Sequence, residues 1–73
     1  MTKQFTIDIA SPPDREKLVA DIFFGTEQWA EVNQEDGVLR IEVYPRRDGC
    51  YWLLTFADVV EALNEAKEAL TGE

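Results

Sequence analysis

The chain predicts an α+β fold: an antiparallel, meander-like sheet of four or five strands with a C-terminal helix packed on one face. Three observations carry this. Apolar and polar residues alternate through Phe5–Ile9, Gln28–Asn33 and Val38–Tyr44, the period of strands buried on one side. Asp36-Gly37 stands between the last two runs, the strongest short hairpin signal available. Phe56, Val59, Val60, Leu63, Ala66 and Leu70 then recur at helical spacing. With 73 residues, of which 45% are hydrophobic, the chain suits one domain, 1–73, around one modest core.

Taken in order, Phe5-Thr6-Ile7-Asp8-Ile9 is the first strand, and Ser11-Pro12-Pro13-Asp14 stops it because proline cannot donate to a ladder. Lys17–Phe24 admits two readings. As a strand it sets Leu18, Ala20, Ile22 and Phe24 on one face. As a helix it starts at Ser11, with the prolines, Asp14 and Glu16 in the first turn, and the order becomes β-α-β-β-β-α with residues 12–24 helical. The β-branched and aromatic second half favours the strand. Gln28–Asn33 and Val38–Tyr44 form the next hairpin, Pro45–Gly49 turns the chain, and Cys50-Tyr51-Trp52-Leu53-Leu54 is expected as a short fifth strand. Thr55 with Asp58 three residues on resembles a capping box, and Gly72 closes the helix. The expected core is Phe5, Ile7, Ile9, Ala20, Ile22, Ala30, Val32, Leu39, Ile41 and Val43 with the helix stripe.

One helix covers one side of a sheet. Setting Ile22 beside Ala30 puts Phe23 beside Trp29 and Asp21 beside Glu31 on the other side. An Asp36-Gly37 turn sets Glu31 across from Glu42; a Glu35-Asp36 turn sets it across from Arg40, which the charges prefer. Either register leaves Val19, Asp21, Phe23, Trp29, Glu31, Arg40, Glu42 and Tyr44 on the face away from the helix. Aromatic residues and arginine anchor interfaces. Phe23, Trp29, Glu31, Arg40, Glu42 and Tyr44 are therefore the expected protein-binding residues. Against this stands the ordinary wet face of an antiparallel sheet, where aromatics pack on one another.

The composition removes much chemistry. There is no histidine and Cys50 is the sole cysteine, so disulfides within the chain, structural zinc and Ser-His-Asp or Cys-His catalysis are excluded. No glycine-rich phosphate loop is present. No cofactor, metal site or catalytic residue is expected, and the chain reads as no enzyme. Asp21, Glu31 and Glu42 lack the ligand spacing of a calcium loop. Cys50 is expected as a small buried hydrophobe and Arg46-Arg47 as a solvated turn. A net charge of −8 opposes nucleic acid and anionic membranes as partners. No run approaches a membrane span, Met1–Gln4 does not lead into a signal-peptide core, and a cytoplasmic location is expected.

The runs Ser11–Glu16, Gln28–Glu31, Ile41–Pro45 and the closing helix resemble a small bacterial family of uncharacterised proteins. That resemblance implies a compact bacterial domain and brings no activity or functional residue. The function expected is thus a small acidic, non-enzymatic interaction protein. It would be immunity- or inhibitor-like, binding another protein (a basic one by charge) through the open sheet face. The alternative is a structural homodimer sealed across that face.

Overall fold

In the computed structural model, which describes residues 5–13 and 16–72, the ambiguous segment is extended. The elements are β1 (Phe5–Ala10), β2 (Val19–Phe24), β3 (Glu27–Asn33), β4 (Arg40–Val43) and α1 (Phe56–Thr71). The strands form one antiparallel sheet in the order β1-β2-β3-β4. Asp14, which the sequence assigns to the strand stop or to a first helical turn, and Met1–Gln4 lie outside the described residues. Four strands are present among the described residues; Cys50–Leu54 is irregular and makes no fifth.

Local chemistry accounts for the elements. β2 and β3 are joined by Gly25-Thr26, and only the glycine takes a positive φ, of 66°. A glycine at the first central position of a two-residue hairpin suits a turn that follows the strand twist. The β3–β4 connection is longer. Gly37 N–H donates to the Gln34 carbonyl at 3.1 Å, so the tight turn centres on Glu35-Asp36. α1 begins at Thr55, whose side chain makes no capping bond, so the capping-box reading holds for position and not for chemistry. It ends where Gly72, in the left-handed region, donates its N–H to the Glu68 carbonyl at 2.8 Å.

α1 packs against β1, β2 and β3 and does not reach β4. The core accordingly gathers Phe5, Ala20, Ile22, Trp29, Ala30 and Val32 from the sheet with Ala62 and Ala66 from the helix. Ile7, Phe24, Trp52, Leu54, Val59, Leu63 and Leu70 pack around it. Small residues at the contact let the helix approach the sheet closely. The expected core is corrected on β4, β1 and α1. Leu39, Ile41 and Val43 are exposed because the helix stops short of their strand, and Ile9 is exposed on β1. Phe56, expected in the helix stripe, is 84% exposed, and Val60 is exposed beside it. No helix among the described residues is long and apolar enough to cross a membrane.

Candidate functional site

The face away from the helix carries one carboxylate per strand. Asp8 lies opposite Asp21, Asp21 opposite Glu31, and Glu31 opposite Glu42. This is the β3–β4 register that the charges disfavour, and the Arg40 alternative is overturned. Arg40 lies opposite Asn33, and its guanidinium pairs with Asp36 in the turn at 2.8 Å. Asp36 also accepts the Val38 N–H, and these bonds, the one from Arg40 foremost, hold its carboxyl below the usual range.

An amide reconciles the facing glutamates. Asn33, buried, donates through Nδ2 to Glu31 Oε2 at 3.1 Å and to Glu42 Oε2 at 2.9 Å. Tyr44 donates its hydroxyl to Glu31 Oε1 at 3.4 Å. Hydrogen bonds to a carboxylate are stronger than neutral ones, which permits Glu31 to sit at 7% exposure. Burial, then the charges of Glu31 and Glu42, push the Tyr44 hydroxyl pKa up. Burial also raises the Asp21 carboxyl, Asp8 adds to the rise, and a 3.0 Å bond from Gln28 Nε2 opposes it.

The expected binding residues are therefore dispersed. Glu31, Glu42 and Tyr44 are drawn together, and Phe23 stands half-buried opposite Gln28. Trp29 is not beside Phe23. The ladder shifts between Ile22 and Phe23, so Trp29 is an extra residue on β3 with no partner on β2. Such a bulge turns a side chain away from the alternation. The indole sits at 6% exposure in the core, edge-on to Phe5 with ring centroids 5.3 Å apart. Val19 is fully buried on the outer face, at the end where the β1–β2 connection meets the β3–β4 turn. There the N–H groups of Glu16 and Lys17 donate to the Glu35 carboxylate at 3.1 and 2.9 Å. The outer face is polar and closed at one end.

The segment 44–54 corrects two further expectations. Cys50 is exposed, because its N–H donates to Asp48 Oδ1 at 3.0 Å within the turn and no strand carries it inward. Arg46 is not a fully solvated turn residue: it lies over the Trp52 ring at 5.5 Å and pairs with Asp48 at 3.0 Å. Trp52 is half-buried against Phe24 and donates Nε1 to the Tyr44 carbonyl at 2.8 Å. The Arg47 N–H donates to the Glu27 carboxylate.

Sequence reasoning missed the surface on the other side. Where α1 stops short of β4, a groove of about 220 Å³ runs between them. Val32, Leu39, Ile41 and Leu63 line it, with Arg40, Asn64 and Lys67 at its rim. It is smaller than the ~300–1,000 Å³ of a small-molecule site. Val43, next in the β4 row after Ile41, and Val60, one turn before Leu63 and Asn64 on α1, are exposed as well. Among the described residues no three metal-ligating side chains come together. No family model, curated protein or solved structure matches the chain, so the bacterial resemblance in its sequence carries no family assignment.

Proposed function

We propose that the chain works by binding protein rather than by catalysis, and that its recognition surface is the strip formed by β4 and the adjoining flank of α1. The observation that supports this most is the row Leu39, Ile41, Val43 on an edge strand that the helix leaves uncovered. Aliphatic side chains on a sheet edge, beside an apolar groove with a polar rim, have the make-up of a docking surface. The single cysteine, which leaves no disulfide to form within the chain, and the acidic balance support a cytoplasmic protein whose partners are neither nucleic acid nor membrane.

Solution mass and affinity capture from host lysate test the reading with three variants. Ile41→Lys and Val60→Lys should each lose the bound species while keeping the far-ultraviolet circular dichroism of the parent. Asp8→Lys, on the opposite face, should retain it. Identical binding by all three would sink the proposal.

A second reading rests on the carboxylate row, which suits a basic protein in the manner of an immunity protein or inhibitor. Raising salt from about 0.05 to 0.5 M shortens the Debye length well below ~10 Å and would weaken that association strongly. Asp8→Lys, and not Ile41→Lys, would then abolish it.

A further inference from the structure

We infer that the occupant of the β4 edge is a second copy of this chain, paired antiparallel through β4 with Ile41 opposite Ile41. This rests on β4 being part of the recognition surface and names its partner. The first support is the direction of the backbone groups. Tyr44 N–H donates to the Trp29 carbonyl at 2.9 Å, and the ladder continues as Ala30↔Val43, Glu31↔Glu42, Val32↔Ile41 and Asn33↔Arg40. Antiparallel alternation then turns the N–H and C=O groups of Arg40, Glu42 and Tyr44 toward β3 and those of Leu39, Ile41 and Val43 outward. A second strand hydrogen-bonds to that outward set.

The second support is the side-chain pattern, Leu39-Arg40-Ile41-Glu42-Val43, which complements its own reverse. With Ile41 on the two-fold axis, Leu39 meets Val43 of the second copy on the groove side. On the other side Arg40 meets Glu42 of the second copy, twice by symmetry. These charged residues occupy the pair positions without mutual hydrogen bonds, where side chains approach most closely. Arg40 is available for this, since its bond to Asp36 lies at an exposed turn with more than half of each side chain in water. Shifting the register by one step that keeps the hydrogen bonds sets Arg40 against Arg40 in one direction and Glu42 against Glu42 in the other. Both are unfavourable, so charge selects a single register.

The other sheet edge offers no such match. β1, Phe5–Ala10, carries Asp8 and no cation. Within Arg40–Val43 there is no proline and no bulge to block pairing, and the two charges of this short strand, Arg40 and Glu42, meet as opposites in the two-fold arrangement. Pairing joins the two Leu39-Ile41-Val43 rows into one apolar strip between the two helices.

Sedimentation equilibrium of the full chain tests this with Arg40→Glu, Glu42→Arg and the double exchange. The parent mass should rise with concentration from 8.4 kDa toward twice that value. Each single exchange turns two attractive pairs into two repulsive ones and should weaken association at least about tenfold. The double exchange restores both pairs and should recover it to within about threefold. Ile41→Pro removes an outward N–H and leaves the β3 ladder intact, so it should abolish association in a chain that keeps its circular dichroism. A parent that stays monomeric to about 1 mM, a double exchange weaker than either single, or an associating Ile41→Pro overturns the inference. If the parent is monomeric yet Ile41→Lys still loses a captured protein, the self-pairing falls and the recognition surface stands. If Ile41→Lys loses nothing, both fall.

Discussion

Replacing Trp29 by alanine should cost this domain most of its stability. The ring is buried to within 6% and meets Phe5 edge-on at 5.3 Å. A buried indole removes about 200 Å² from water, which at about 25 cal/mol per Å² is about 5 kcal/mol. A partly compact denatured chain lowers that to about 3–4.5 kcal/mol. The edge-to-face contact adds about 1 kcal/mol, in line with the ~3–5 kcal/mol of buried Trp→Ala changes. A domain of 73 residues has about 4–11 kcal/mol in total. Urea unfolding followed by far-ultraviolet circular dichroism should therefore find Trp29→Ala less stable than the parent by about 4–5 kcal/mol, with its midpoint moved far toward zero denaturant. Leu53→Ala, at a residue 83% exposed, should change stability by less than about 0.5 kcal/mol. A Trp29→Ala chain within about 1 kcal/mol of the parent would refute the placement of the indole in the core.

Three further outcomes follow from the same geometry. Gly25→Ala forces a side chain onto a φ of 66° and should cost about 1–2 kcal/mol in the same urea assay. Asn33→Ala removes the amide that bridges Glu31 and Glu42 and should cost about 1–3 kcal/mol at neutral pH. Asp21→Asn should stabilise at neutral pH by roughly 0.5 kcal/mol, since it removes a like charge opposite Asp8 and its Oδ1 still accepts from Gln28. Because burial raises the Asp21 carboxyl in the folded chain, the native state holds the proton more tightly than the unfolded one. The cost of ionising Asp21 is thus full above the folded value and fades as pH falls toward the ordinary aspartate value. The advantage of Asp21→Asn should shrink over that same interval, and an advantage that grew on acidification would contradict it.

The strands and the helix were legible because their periods are local: two for Phe5–Ile9 and Gln28–Asn33, near four for Val59–Leu63–Ala66–Leu70. The surface was less legible, for reasons that lie outside any single segment. A bulge at Ile22/Phe23 inserts Trp29 into the count, and alternation read straight through it sends the indole to the wrong side. Of the two β3–β4 registers that the sequence leaves open, charge alone favours the one not adopted, since Asn33 satisfies the glutamates and Asp36 satisfies Arg40 within the turn. The exposure of Ile41 (42%) and Val43 (57%) depends on where the helix lies across the sheet, which an amphipathic stripe does not specify. The acidic character of the outer face was readable, and the row of four carboxylates follows once the register is known.

Residue-resolved amide exchange at two concentrations, about 20 μM and 1 mM, tests β4 as a recognition edge most directly. The outward N–H groups of Leu39, Ile41 and Val43 should exchange freely in the dilute sample and become protected in the concentrated one. Those of Arg40, Glu42 and Tyr44, already bonded toward β3, should be protected in both. Exchange at Ile41 and Val43 that is equally fast at both concentrations would contradict self-pairing through this strand. Concentration-dependent protection confined to β1 would place the interface on the opposite edge.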